Sequence, residues 1–144
     1  MKNLTIYLLL APVLFAGCEE DKVVGEAALP AAEKQYLDTH FPNVAISRVV
    51  RHRNDNMTTY DVWLQNRIEV EFDAHGRVAG IDGQATERLP DSVLPTPILE
   101  YVNTRYEGQY VVEWERERND QEIRLFNGTE LVFDLNGAFV RIDD

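Results

Sequence analysis

Apolar residues fall at every second position over much of this chain. Tyr110, Val112 and Trp114 alternate with Val111, Glu113, Glu115 and Glu117. Ile123 and Leu125, Leu131 and Phe133, then Val140 and Ile142 continue the pattern. So do Tyr60, Val62 and Leu64, Val70 and Phe72, and Ala79 and Ile81. A period of two with one apolar face predicts half-buried antiparallel strands. An earlier strand over AISRVVRHR has Val49 and Val50 adjacent, so its parity is open. Two stretches follow helical spacing instead. PAAEKQYLDTHF puts Ala32, Tyr36, Leu37 and His40 on one stripe, with Pro30 in the first turn and Pro42 ending it. TPILEYVNTRY does the same with Ile98, Tyr101 and Val102. There Thr96 is expected as N-cap, Pro97 as first helical residue and Gly108 as the stop.

The elements come twice. FDAHGRVAGIDG begins at Phe72, and FDLNGAFVRIDD begins at Phe133, 61 residues later. Arg51–Asp55 echoes Arg116–Asp120 at a step of 65, and Leu29-Pro30 echoes Leu89-Pro90 at a step of 60. Repetition of Asp134-x-Asn136-Gly137 superficially suggests a calcium loop. The next residues are strand-like, and His75 stands where Asn136 would be repeated. A calcium loop also needs several spaced oxygen ligands and a closing Glu. Turn chemistry explains both residues: Asp bonds nearby backbone and Gly takes the positive φ. The expected fold class is therefore α+β: a tandem repeat of helix plus four-stranded antiparallel meander. The helices cover one face of the sheet and leave the other open. The repeats are placed at 29–83 and 84–144, forming one compact unit.

The N-terminus gives an address. Lys2 precedes the twelve-residue apolar run Leu4–Phe15, too short to span a bilayer but suited to a secretory signal over residues 1–17. FAGC resembles the lipobox of bacterial lipoproteins, with Phe15 where Leu is usual. That resemblance implies lipidation at Cys18, the only cysteine. Residues 18–28 read as an acidic, flexible tether. Cleavage before Cys18 would leave 127 residues; with Lys2 gone, 13 Lys and Arg stand against 25 Asp and Glu, a formal charge of −12. Nucleic acid, which wants a basic footprint, is not an expected partner, and the membrane is met by the lipid anchor only. The expected location is the cell envelope, at the outer membrane, on its periplasmic or surface face.

Helix then four-stranded meander, in tandem behind such a signal, resembles the PepSY-like, β-lactamase-inhibitor-like family of small exported bacterial proteins. LPxxxxxYLDTHFPNVAI and FDxxGxxxxIDG are similar to its repeated pattern, over residues 29–144. The resemblance implies a non-catalytic binding module and supplies no active-site residue.

Catalytic chemistry finds no foothold. His40, His52 and His75 lie in different elements and outside any HExxH pattern. No GxSxG, nucleophilic Cys or phosphate loop occurs. No enzyme activity, metal or cofactor is expected. What remains is the open face. By parity it carries Arg48, Val50, His52, Asp61, Trp63, Gln65, Glu69 and Glu71 in the first half. The second half adds Glu113, Glu115, Glu117, Arg124, Phe126, Val132, Phe139 and Arg141. Trp63, Arg48, His52, Arg124, Phe126 and Phe139 are the candidate binding residues, for a protein or peptide. An acidic face that gathers cations is the alternative, and an unrecognised hydrolase the third reading.

Overall fold

The structure, a computed structural model, describes residues 19–143. The signal segment and Cys18 lie outside the described residues. Among the described residues nine strands form one antiparallel sheet in chain order. They are β1 (Glu19–Val24), β2 (Ile46–Asn54), β3 (Met57–Leu64), β4 (Glu69–Phe72), β5 (Val78–Asp82), β6 (Val111–Arg116), β7 (Asp120–Leu125), β8 (Glu130–Asp134) and β9 (Phe139–Asp143). Helix α1 (Ala31–His40) is inserted between β1 and β2, and α2 (Thr96–Arg105) between β5 and β6. Leu37 of α1 and Ile98 and Val102 of α2 share one apolar cluster with Val49, Val62, Phe72, Ile81, Trp114, Leu125 and Phe133 of the sheet. Both helices therefore sit on one face, and the α+β class with an open sheet stands.

The order 3-10 turn, helix, four strands occurs twice. A step of 65 residues carries the turn Glu26–Ala28 onto Asp91–Val93, α1 onto α2, and the start of β2 onto the start of β6. A bulge follows the same step, between Ile46 and Arg48 and again between Val111 and Glu113. From β5 to β9 the step is 61, because the β6–β7 hairpin (111–125) is four residues shorter than the β2–β3 hairpin (46–64). Leu94-Pro95, not Leu89-Pro90, is thus the counterpart of Leu29-Pro30. Proline precedes each helix: the N-caps are Pro30 and Pro95, so Thr96 is already helical. Asn43 and Gly108, one step apart, both take positive φ just past the helix ends.

The expected flexible tether at 18–28 is corrected over its described part. Glu19–Val24 is a strand paired with β2 along its whole length. Its place is informative. Val24 pairs with Val49 as Ile81 pairs with Trp114, and Val23 pairs with Val50 as Gly80 pairs with Glu115. Val49 and Val50 are the 65-step counterparts of Trp114 and Glu115. So β1 caps β2 in the register by which β5 joins β6. Composition hid this, because only Val24 of β1 packs against the core while Val23 is exposed.

Bulges also correct the parity. One interrupts β4–β5 at Glu71/Phe72, and another interrupts β8–β9 at Val132/Phe133. An extra residue in one strand reverses which side chains face the core. Val78 and Phe139, expected outward, therefore lie opposite the core residues Phe72 and Phe133. Val111, not Val112, joins the core cluster for the same reason. Ile142 pairs with buried Leu131 but stays 50% exposed, whereas its counterpart Ile81 is 1% exposed beside Trp114. The difference is position: β9 is the sheet edge.

Candidate functional site

The open face is read by following the register across the sheet. One row runs Arg48, Trp63, Glu69, Asp82, Glu113, Arg124, Glu130, Asp143. The next runs Val50, Asp61, Glu71, Gly80, Glu115, Glu122, Val132, Arg141. Carboxylates thus face each other across most strand boundaries, an arrangement that is unfavourable between directly opposed like charges. Three of them show it. Burial and then repulsion from Asp61 raise the Glu71 carboxyl above its usual value, with Glu69, Glu115 and Asp82 adding to the effect. Glu69 is raised by burial and by Asp61, while the Trp63 indole N–H beside it pulls the other way. Burial and then Asp143 and Asp120 raise Glu122.

A glycine sits in the middle of this array. A Cβ on Gly80 would lie 3.5 Å from a Glu71 carboxylate oxygen and 3.8 Å from Glu115. Its absence leaves a depression between two acids. A second hollow of about 220 Å³ lies among Glu113, Glu115, Glu122, Arg124 and Glu130. Among the described residues no group of three His, Cys, Asp or Glu side chains converges to hold a metal ion. No helix among them is long and apolar enough to cross a membrane.

Four of the six candidate residues lie on this face. The Arg48 guanidinium stands 3.8 Å above the Trp63 ring, a cation–π contact between directly paired residues. His52 lies next to them on β2. Its Nδ1 is 2.7 Å from Asp21 and its Nε2 is 2.7 Å from Asp61. Burial alone would lower the His52 pKa, but hydrogen bonds donated to Asp21 and Asp61 outweigh it and raise the value. Arg124 is ion-paired with Glu113. It stands four strands from Trp63, roughly 19 Å at the usual strand spacing, so the two do not share one contact point.

Two candidates leave the face. Phe126 sits in the turn after β7 and stacks on Tyr110 at 4.8 Å. Phe139, re-aimed by the β8–β9 bulge, stacks on Tyr101 of α2 at 4.8 Å and meets Phe133 edge-on. It belongs to the helix side. Conversely, sequence reasoning missed Asp82, Glu122 and Glu130 on the open face. Their alternation with Ile81, Ile123 and Leu131 was the available signal. Asp21 was missed because its strand was taken for a tether.

The comparisons with known proteins fit this architecture. The sequence profile of the family described as "Putative beta-lactamase-inhibitor-like, PepSY-like" matches residues 17–79 and again 58–141. The chain belongs to the PepSY-like family. Among solved structures, a proposed calcium-regulated periplasmic protein from Bacteroides thetaiotaomicron is similar at 30% identity and TM-score 0.79, covering 86% of this chain and 97% of that one. A proposed periplasmic protein of the DUF2874 family from Bacteroides vulgatus is 29% identical, with TM-score 0.80 over 89% and 100% of the two chains. A further proposed periplasmic protein of unknown function from Bacteroides vulgatus is 31% identical, with TM-score 0.79 over 87% and 100%. No curated protein matches the chain.

The raised carboxylates set a pH dependence for this PepSY-like chain. A carboxyl whose folded pKa exceeds its unfolded one holds its proton better in the native state, so stability falls as pH rises through that window. Glu71→Gln removes the charge without the bulk. We expect its melting temperature to exceed that of the wild type at pH 7 and to match it at pH 3, where both carry a neutral side chain. Thermal unfolding at the two pH values checks this, and a lower melting temperature at pH 7 would refute mutual repulsion at Glu71.

Proposed function

We propose that this chain is a non-catalytic binding module of the cell envelope whose open sheet face takes a basic protein or peptide segment. The observation that carries the reading is the double row of carboxylates on the face the helices leave bare. Burial and then repulsion raise Glu69, Glu71 and Glu122, and a cationic segment lying across the face would relieve the repulsion. Trp63, half-buried under Arg48 at one end of the row, supplies the aromatic contact that anchors such interfaces. The helix–meander unit is a tandem duplication in this reading, and the seam between its copies crosses the middle of the face.

The address rests on the lipobox-like FAGC and on the similar structures, described as periplasmic. In this reading Cys18 is acylated and β1 begins directly after the anchor, at the outer membrane on its periplasmic or surface face. A cation-binding reading is favoured by the same raised carboxylates, and one similar protein is described as calcium-regulated. Calorimetry with calcium separates the two, since stoichiometric heat at a single site would favour the cation.

Crosslinking in the native envelope tests the main reading. We expect the wild type to hold a basic protein or peptide, with capture lost in Trp63→Ala and in the pair Glu71→Lys, Glu115→Lys, and weakened by salt. Undiminished capture by those variants would place the interface elsewhere. For the anchor, Cys18→Ser should move the protein out of the membrane fraction; an unchanged distribution would defeat acylation at that residue.

A further inference from the structure

β1 is held to the sheet by an arrangement that only one protonation state can complete. Both ring nitrogens of His52 face carboxylate oxygens at 2.7 Å, Asp21 on β1 and Asp61 on β3. An ionised carboxylate accepts hydrogen bonds and donates none, and a neutral imidazole has a single N–H. Both bonds exist together only when His52 is an imidazolium. The bridge therefore ties the edge strand across β2 to β3 through a charged histidine.

Beyond the backbone ladder with β2, little else anchors that strand. Glu20, Asp21, Lys22 and Val23 are exposed, and Val24 alone packs against the apolar cluster. Strands with few buried contacts open at low cost. The charges around His52 sharpen the contrast. On its own face stand Asp21 from β1 and Asp61 from β3, and beyond Asp61 stand Glu69 and Glu71 of β4, which feel the Asp61 charge. The guanidinium of Arg48, on the same strand, is engaged over Trp63. Lys22 and Arg51 pair in register on the opposite face. Loss of the His52 proton leaves Asp21 facing a cluster of acids, with a lone pair where one donor had been.

We propose that β1 is a releasable cap strand, latched by the Asp21–His52–Asp61 bridge and freed when rising pH takes the proton from His52. Release bares the outer edge of β2. That edge accepts a strand in the register by which β5 joins β6, so its exposure offers a ready site for strand addition. The direction follows from the histidine. Its folded pKa is raised above the unfolded value, so the stabilisation is fully present below the unfolded value and is lost as pH rises through the folded one.

Hydrogen exchange on the full chain tests this. After correction for intrinsic rates, protection of the Lys22 and Val24 amides, which face β2, should fall by about tenfold for each unit by which the bridge raises the His52 pKa. The comparison is between pH 6 and pH 9. Amides of Val62 and Leu125 should hold their protection throughout. Asp21→Asn, a change at an exposed edge residue, and His52→Gln should each show weak β1 protection at both pH values. Constant wild-type protection between the two pH values would overturn the proposal. So would a full pH response surviving in Asp21→Asn.

Discussion

The seam between β5 and β6 is the constraint on which the rest depends. Three residue pairs make it: Gly80 with Glu115, Ile81 with Trp114 and Asp82 with Glu113. Each half of the chain has about 55–60 residues, a size at which a single core is marginal. Joined at the seam, the halves bury one apolar cluster that runs from α1 through the sheet to α2. Ile81 and Ile142 show what the seam contributes, since only the first is covered by a following strand. The chain must also turn sharply there. A Cβ on Gly83 would come within 2.1 Å of the Glu87 carbonyl oxygen and 2.9 Å of that of Val112. Only glycine lets the connection to α2 leave the sheet at that point.

One continuous sheet has two unlike faces. The helices cover the apolar one, and the other gathers carboxylates in rows. Facing like charges work against folding, and they add to burial in raising the pKa values of Glu69, Glu71 and Glu122. A sequence selected for stability alone would interleave Lys or Arg, as happens at Arg124 beside Glu113. Local inconsistencies of this kind are where function is sought. The same logic applies at the edge, where β1 adds little buried surface to its backbone ladder and His52 links it to β3 through two carboxylates.

Much of the fold was legible in the sequence. Period-two alternation located the eight strands of the repeats, and proline and glycine located the helix boundaries. The duplicated phrase marked the strand, turn and strand seen as β4–β5 and as β8–β9. What failed failed for physical reasons. Bulges at Glu71/Phe72 and Val132/Phe133 shift parity without any change of composition, so Phe139 was assigned to the wrong face. β1 pairs through backbone hydrogen bonds while exposing polar side chains, so its sequence looks like a linker. The candidate site was legible as an open face with Trp63 and Arg48 upon it. Its acidic continuity was not, because a cross-strand row joins residues that are far apart in sequence.

On the reading proposed above, the acidic open face binds a cationic segment. Titrating an isotopically labelled chain with an oligo-arginine peptide, followed by amide and indole chemical shifts, tests it most directly. The account predicts saturable shifts confined to Trp63, Glu69, Glu71, Asp82, Glu113, Glu115 and their neighbours on β3 to β7, weakening with salt. Shifts gathered on the helix side, or a spectrum unmoved at saturating peptide, would contradict it.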